Sequence, residues 1–436
     1  MLVNSLIQQR LTCAFTLAFQ TANTWKLLQR VFTLMRNPPI SFHWFLPLNK
    51  SILKLYHQRV MNSFIFYPHR LQLALDLNAM SQAELAARLD RSPTSISLVL
   101  KGERSFTPEL AEESAFVLNV PESFFTLPDQ SLLDTAVSYR KKSRTSSKHV
   151  RQIKAEFTSL VQSMSRLSNM STVPSMWKWI DALAPRTTPY SRDIEQIAQD
   201  ARAALSVPSR GMVPNVIRAA ERGGICVAPL YSKVNEVALM SEGISQNGNT
   251  SAPVIGYFKE KTSGDRQRFT IAHELGHILL HRYRAPSNDV LKEKEAHYFA
   301  SAFLFPKEDA RAQLTNTLSL QAFIPIKSHW GISIQSAIAR GVNLNIISPD
   351  RQRSLMKQIT ARGWRTIEPV TVDYESPLLV RQLFGSTIGQ YISATESAVS
   401  PLMVENFLGV PFDMASVWSN GLIETLEDYD ASSLFH

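Results

Sequence analysis

The sequence predicts a mainly α-helical protein with one small β-sheet, an α+β fold in several domains. At 436 residues the chain is long enough for two or three domains with cores of their own. Helix signals recur along most of its length, whereas strand-like runs are confined to residues 225–258. A hydrophobic content of 44% and a charged content of 19% are typical of a globular protein and exclude a largely disordered one.

The cysteine content and the charge distribution exclude further classes of protein. Only Cys13 and Cys226 occur, which excludes a disulfide framework and a cysteine-based zinc site and fits a reducing cytoplasm. The net charge of +9 is concentrated at the N-terminus, because residues 1–60 contain seven Lys or Arg and no Asp or Glu. No apolar run approaches the roughly 20 residues that cross a bilayer, so we expect no membrane partner.

Residues 1–60 are predicted to be a leader outside the fold. They are basic and aromatic and show neither alternation nor capping signals. Targeting segments share this composition, but no clean cleavage site follows the short apolar run LTCAFTLAF. The interpretation we favour is that translation starts at Met61, where a well-formed domain begins.

Residues 61–128 predict four short helices in succession. Their boundaries are marked by capping residues and by helix-starting prolines: Pro68, Ser81 with Glu84 as a capping box, Ser92 followed by Pro93, Gly102, and Pro108. Two short helices joined by a turn of three or four residues are typical of a helix-turn-helix, whose second helix enters the DNA major groove.

The segment SQAELAARLDRSPTSISLVLKGERSFTPELAEESAFVLNVPESFF resembles the XRE-type (phage-repressor-like) helix-turn-helix family over about 60 residues. The resemblance implies DNA as a partner; an ordinary small helical bundle is the alternative. The chain departs from the family at Asp90, where Gly is usual in the turn, and at Arg91, which replaces an apolar residue.

Six residues are candidate DNA contacts: Gln82, Ser92, Thr94, Ser97, Lys101 and Arg104. The outward positions of the recognition helix offer no Arg, Asn or Gln, the strongest base readers: Pro93, Thr94, Ser97 and Leu98. Phosphate contacts from the other candidates would position the protein without specifying a sequence. We therefore expect DNA binding with modest sequence discrimination.

Residues 129–190 are predicted to be a basic, helical bridge. The run YRKKSRTSSKHVRQIK, residues 139–154, holds seven Lys or Arg and no acid. This run either touches the DNA backbone or forms a solvated face. A Ser- and Met-rich helix that finishes near Pro174 is predicted to follow it.

The stretch RFTIAHELGHILLH, residues 268–281, contains the main candidate site residues. It follows three strand-like runs, ICVAPL, VALM and APVIGYF, and reads as a helix. His273 and His277 are four residues apart, so they lie on one helix face about 6 Å apart and can reach one zinc ion. Glu274 points to the side, where it can act on a water molecule. H-E-x-x-H on a helix is a zinc-protease signature; the alternative, a hydrogen-bonded core trio, would bury three ionisable groups without an evident partner.

A zinc site also needs a third ligand. His281 lies about 12 Å along the helix axis from His273, too far to share a metal with it. The next candidates are Glu293, Glu295 and His297 in LKEKEAHYFASAFLFP, which reads as a second helix. Both glutamates flank its apolar stripe, so periodicity does not choose between them.

DRQRFTIAHELGHILLH followed by EAHYFASAFLFP resembles the ImmA/IrrE family of metallopeptidases, over about Ile194 to Pro369. The resemblance implies a zincin-like metallopeptidase domain at 191–310, followed by a C-terminal helical region at 311–436. It also implies that the glutamate immediately before Ala, which is Glu295, supplies the third ligand. His297 stands where the family usually has Asn or Asp.

In the resulting mechanism His273, His277 and Glu295 hold one catalytic zinc ion and leave its fourth position for water. Zinc lowers the pKa of that water to about 7, and Glu274 accepts its proton as it attacks a peptide carbonyl. Tyr283 and His281 are the nearest candidates in sequence for stabilising the oxyanion. An exposed sheet edge beside the helix would hold the substrate strand by main-chain pairing.

These inferences predict a cytoplasmic, DNA-binding transcriptional regulator that carries a zinc-dependent endopeptidase. Peptidases of the resembled family cut a helix-turn-helix repressor and so relieve repression, which makes DNA and such a repressor the expected partners. A homodimer is compatible with this interpretation. The alternative is a non-proteolytic transcription factor whose metallopeptidase-like domain senses a ligand or dimerises.

Overall fold

A computed structural model of the chain describes residues 65–128, 137–139, 147–171, 176–231, 243–246, 252–259, 263–284, 288–393 and 395–425. Helices dominate these ranges and two small sheets complete them, which confirms the predicted α+β class. The predicted leader lies outside the described residues. Within the ranges above, none of the helices is long and apolar enough to cross a membrane.

Four short helices open the described chain: α1 (Pro68–Leu77), α2 (Gln82–Arg88), α3 (Pro93–Leu100) and α4 (Pro108–Leu118). Ser81 and Glu84 form the predicted capping box, and the Ser92 hydroxyl accepts a hydrogen bond from the Ser95 amide. The turn between α2 and α3 passes through Asp90 at a φ of 51°. Asp is one of the few residues that tolerate this left-handed region, which explains how the chain turns there without glycine.

The 24-residue helix α5 (Ser147–Met170) packs against the N-terminal helices and against the C-terminal part of the chain. Its buried apolar residues are Ile153, Ala155, Phe157, Leu160, Val161, Met164 and Leu167. Arg70 of α1 is only 1% exposed, and it donates hydrogen bonds to the Phe124 carbonyl at 2.7 Å and to Gln162 Oε1 of α5 at 2.6 Å. This part of the predicted bridge is therefore a core helix. Arg151, from the basic run, pairs with Asp76 of α1 at 3.3 Å.

The first sheet contains β1 (Val137–Tyr139), β2 (Cys226–Pro229), β3 (Gly243–Gln246) and β4 (Val254–Tyr257), in the spatial order β1-β3-β4-β2. Strand β2 is parallel to β4, whereas β3 is antiparallel to both of its neighbours, β1 and β4. Two of the predicted runs form β2 and β4. The third, VALM at 237–240, lies outside the described residues, and the strand that the structure describes next, β3, comes from GISQ.

The helices around this sheet are α6 (Trp179–Leu183), α7 (Ser191–Ala204), α8 (Val216–Arg222), α9 (Gly264–Leu280) and α10 (Asp289–Leu304). Helix α9 carries the H-E-x-x-H residues and packs on β3, β4 and α10. A Cβ atom at Gly276 of α9 would lie 3.0 Å from Phe299 Cδ1 and 3.3 Å from the Ala296 Cα of α10. The missing side chain at this position therefore allows the two helices to approach closely.

Four helices follow: α11 (Lys307–Gln313), α12 (Phe323–Trp330), α13 (Ile334–Asn343) and α14 (Pro349–Ala361). After an extended segment the chain forms α15 (Leu379–Thr387), β5 (Gln390–Ser393), β6 (Glu396–Val399), α16 (Pro401–Leu408), α17 (Phe412–Trp418) and β7 (Ile423–Glu424). The predicted helical C-terminal region thus also contains a sheet, in the order β5-β6-β7. Strands of two to four residues are too short for alternation to show in the sequence.

The last helices return to the N-terminal part of the unit formed by Phe66–Thr425. The Ser123 hydroxyl donates to the Glu405 carbonyl of α16 at 2.5 Å. Glu156 of α5 is buried, and its Oε1 accepts hydrogen bonds from Trp418 Nε1 of α17 at 3.2 Å and from the Tyr231 amide after β2. Contacts between residues far apart in the sequence therefore join α5 to the sheet and to the C-terminal helices.

Candidate metal centre

The N-terminal half of α9 is held by the extended segment before α15. Gln267 exchanges two hydrogen bonds with the backbone of Glu375, at 3.0 and 2.8 Å. Arg268 forms a buried ion pair with the Glu375 carboxylate and also donates to the carbonyls of Val213 and Gly331 at 2.7 and 3.1 Å. Because these side chains are locked, the residues one turn further along α9 are presented in fixed positions.

Two imidazoles of α9 meet a carboxylate of α10. The Nε2 atoms of His273 and His277 are 3.0 Å apart. The two oxygens of the Glu293 carboxylate face one each, with Oε2 3.4 Å from His273 Nε2 and Oε1 3.4 Å from His277 Nε2. In a tetrahedron whose corners lie about 2.0 Å from its centre, as zinc ligands do, neighbouring corners are about 3.3 Å apart. The three donors are therefore spaced like three ligands of one zinc ion.

Glu295, the expected third ligand, has a different environment. Its Oε2 lies 3.0 Å from His281 Nε2 and accepts a further hydrogen bond from Arg284. Two positions along a helix are separated by about 200° around its axis, so Glu293 and Glu295 cannot face the same point. The structure turns Glu293 toward the histidine pair, and this differs from the expectation for Glu295.

A chain of hydrogen bonds links Glu295 to the back of His277. The Nδ1 atoms of His277 and His281 are 3.0 Å apart, and His281 Nε2 is the same distance from Glu295 Oε2. One assignment of tautomers satisfies both contacts: His277 Nδ1–H donates to His281, whose Nε2–H donates to the carboxylate. This assignment leaves a bare lone pair on His277 Nε2, which is the form that a metal ligand needs.

The pKa shifts keep His277 and His281 neutral and Glu293 ionised at neutral pH. Burial lowers the pKa of His277 to about 4 and that of His281 to about 2. Burial raises the pKa of Glu293, but its contacts with His273 and His277 outweigh this effect and hold the pKa of the carboxyl well below its usual value. Neutral imidazoles and an ionised carboxylate are the forms that bind metal ions.

Glu274 lies beside this cluster, between α9 and β3. Burial raises the pKa of its carboxyl to about 7. Its Oε2 is buried and has no hydrogen-bond partner among the residues that the structure describes. A Cβ atom at Gly243 of β3 would lie 2.8 Å from Thr270 Cγ2 and 2.9 Å from both Cγ and Oε1 of Glu274. The glycine therefore makes the room that the carboxylate occupies.

His297 adds a donor on the side of His273. The two rings have centroids 4.5 Å apart, and the donor atoms of His273, Glu293 and His297 lie within 4.8 Å of one another. The donor atoms of these three residues are farther apart than those of His273, His277 and Glu293, which are separated by 3.0–3.4 Å. The sequence left His297 among the candidates for the third ligand, and the structure places it next to His273 and Glu293.

Neither sequence-based candidate for the oxyanion has a free hydrogen to donate. The Tyr283 hydroxyl donates to Asp181 Oδ1 at 2.5 Å, and both ring nitrogens of His281 contact His277 and Glu295. Sequence reasoning also missed Gly243. The signal that could have identified it is a glycine inside a strand, which often marks the close approach of another group.

The candidate DNA contacts lie on α2, on α3 and just after it. All except the half-buried Ser97 are exposed: Gln82, Ser92, Thr94, Lys101 and Arg104. Arg104 donates to the Ser95 hydroxyl at 3.0 Å, and Arg91, one of the departures from the resembled family, pairs with Glu113 at 2.7 Å. Residues 61–128 hold eight Asp or Glu and five Lys or Arg, so their overall charge does not attract DNA.

Residues 233–340 match the family model Peptidase_M78, described as the IrrE N-terminal-like domain. The matched range includes β3, β4, α9 and α10, and with them every donor described above. The match supports a metallopeptidase-like domain of the ImmA/IrrE kind in this range, and such a domain implies a metal ion, usually zinc. No curated protein matches the chain.

Proposed function

We propose that the chain is a zinc-dependent endopeptidase that hydrolyses a peptide bond in a protein substrate. The observation that carries the proposal is a buried carboxylate, Glu274, beside three donors with the spacing of zinc ligands: His273, His277 and Glu293. The match of residues 233–340 to a metallopeptidase family supports it independently.

In this proposal Glu293 takes the ligand role that the sequence suggested for Glu295. Glu295 and His281 instead orient His277 through the chain of hydrogen bonds behind it. Zinc, when bound, would act as a Lewis acid that lowers the pKa of a water molecule and polarises a carbonyl. Glu274, whose pKa lies near 7, accepts the proton of the attacking water and delivers it to the leaving amine.

The ligand set and the chemistry can be tested on the full chain. We expect about one zinc ion per wild-type chain by metal analysis and the same content in Glu274→Gln. Hydrolysis of a proteome-derived peptide library, followed by mass spectrometry, should occur only with the wild type, because the amide cannot accept the proton. A wild-type chain that binds no zinc from zinc-containing buffer would overturn the proposal.

Zinc binding without hydrolysis would favour the alternative of a transcription factor whose metallopeptidase-like domain senses a ligand or dimerises. For the proposed peptidase, the resembled family suggests a helix-turn-helix repressor in the cytoplasm as the substrate. Its cleavage by the wild type and not by Glu274→Gln is the direct assay of that narrower proposal.

We also propose that the N-terminal helices bind DNA. The observation that favours this role is the exposed set on α2, α3 and the turn after it, in which Gln82, Lys101 and Arg104 can donate to phosphates. Because these side chains, together with the basic run at 139–154, would contact phosphates and not base edges, affinity should fall steeply with salt and discriminate modestly between sequences. Binding to a duplex library that does not weaken in Lys101→Ala/Arg104→Ala would contradict this role; Arg88→Ala is the matched control.

A further inference from the structure

Strand β3 has two edges, and both are paired. One edge joins β4, with Gly243 opposite Tyr257 and Ile244 opposite Gly256. The other edge joins β1, antiparallel, with Tyr139 opposite Ile244 and Val137 opposite Gln246. In the proposed function, on which this inference rests, the edge of β3 away from β4 is the one that would hold an extended substrate. The chain's own β1 lies there.

The direction of β1 relates it to the candidate metal centre. Gly243, the first residue of β3, is the residue that lies against Glu274. Because the pairing is antiparallel and Tyr139 is opposite Ile244, the carboxyl end of β1 lies at the Glu274 end of β3. A substrate strand paired with β3 in the same direction would run toward the same carboxylate.

The origin and the length of β1 are those of a strand that another strand can displace. It comes from the segment between the N-terminal helices and α5, outside the range that matches the peptidase family. With three residues it forms few main-chain hydrogen bonds, and main-chain pairing places little demand on the sequence that provides it. As part of the same chain, however, β1 competes at a high effective concentration.

We propose that β1 is an internal strand that occupies the substrate edge of β3, and that an extended segment of the protein substrate pairs with β3 in its place. The kind of partner is thus a peptide strand antiparallel to β3. Any external strand must compete with β1, so its apparent affinity is reduced by the fraction of molecules in which β1 is paired.

The test measures binding of a labelled peptide that copies residues 134–142, DTAVSYRKK, by fluorescence anisotropy. The proteins are full chains that carry Glu274→Gln, so that the peptide stays intact. The double variant Ser138→Pro/Tyr139→Pro removes whichever of two successive amides faces β3 and so prevents strand pairing of β1, and Ser138→Ala/Tyr139→Ala is the matched control. We expect the peptide to bind the proline variant at least about tenfold more tightly, the ratio for a strand that is paired about nine-tenths of the time.

A second peptide, N-methylated at the positions of Ser138 and Tyr139, tests whether main-chain pairing is responsible. Successive amides of a strand point in opposite directions, so one of the two must face β3, and this peptide should not bind. Equal affinity of the proline and alanine variants, or unchanged binding of the methylated peptide, would overturn the inference.

Two further measurements keep the outcome clear. If the melting temperature shows that Ser138→Pro/Tyr139→Pro has unfolded the chain, the double variant Val137→Gly/Tyr139→Gly replaces it, because glycine weakens a strand without blocking the fold. Peptide binding in the Glu274→Gln background requires no hydrolysis. A chain that binds the peptide but cuts nothing would therefore retain this inference while the proposed peptidase fails.

Discussion

Two glutamates of α10, two residues apart, illustrate how a side chain's direction decides its chemistry. Glu293 contacts the Nε2 atoms of His273 and His277, whereas Glu295 contacts His281 and Arg284. One is in position to bind a metal ion directly. Glu295 could affect such an ion only through His281, which contacts His277 in turn.

We expect Glu293→Gln and Glu295→Gln to differ in zinc affinity, measured by competition with a chelating dye. Glu293→Gln removes a direct ligand and should abolish stoichiometric binding. Glu295→Gln should weaken binding by about 10- to 100-fold, as loss of a partner behind a metal-bound histidine typically does. Each variant is the matched control of the other, and the reverse order of affinities would assign the ligand to Glu295.

The raised pKa of Glu274 predicts how the stability of the zinc-free protein depends on pH. Because the folded pKa is about 7 and lies above the unfolded value, the stability linked to the protonated carboxyl is present at low pH and is lost as pH rises toward and through 7. Glu274→Gln removes this loss, so it should raise the melting temperature more at pH 8 than at pH 5. The difference in the free energy of unfolding should reach up to about 3 kcal/mol.

The control for this experiment is Glu112→Gln, a change at an exposed position of α4. It should shift the melting temperature by a similar small amount at both pH values. An equal effect of Glu274→Gln at pH 5 and pH 8 would contradict the assignment of a buried, protonatable carboxyl.

At the scale of single elements, β3 shapes the site although it contributes no metal donor. We expect Gly243→Ala to keep zinc but to lower peptide hydrolysis by about 100-fold, because its methyl group would displace Glu274 and a misplacement of about 1 Å has effects of this size. Gly256→Ala on β4 is the matched control, since its methyl group would meet Leu230 and Ile244 and leave Glu274 untouched. Similar activities of the two variants would show that the space at Gly243 has no special role.

At the scale of the whole molecule, the N-terminal helices and the rest of Phe66–Thr425 are joined by packed side chains. We expect Arg70→Ala to lower the melting temperature of the whole unit by a few degrees in a single calorimetric transition. The change leaves the Phe124 carbonyl and the Gln162 side chain buried without this donor, and each such loss costs about 1–3 kcal/mol.

Arg91→Ala is the control for this interface. It removes a solvent-exposed ion pair with Glu113, which should change the free energy of unfolding by less than about 1 kcal/mol. A separate early transition for the N-terminal helices in Arg70→Ala would show that they fold independently of α5.

Local signals in the sequence determined the elements that depend on neighbouring residues. The caps at Ser81 and Ser92, the prolines at the starts of helices and the H-E-x-x-H spacing all act within a few residues, so the chain alone predicts them. The same holds for the α+β class and for the apolar runs of β2 and β4. The placement of His273, Glu274 and His277 on one buried helix follows from helical geometry.

Contacts between distant residues decided the rest. Periodicity left Glu293 and Glu295 equivalent, and only the packing of α10 on α9, close because Gly276 has no side chain, turned Glu293 toward the histidines. The segment predicted to be a bridge became the core helix α5 because α1 and α15 bury its apolar face. The pairing of β1 with β3 joins residues more than 100 positions apart, and a three-residue strand has no sequence signal that names its partner. The local sequence thus specified helices and the H-E-x-x-H spacing, while the position of Glu293 beside the histidines and the neighbour of β3 depended on long-range packing and backbone hydrogen bonding.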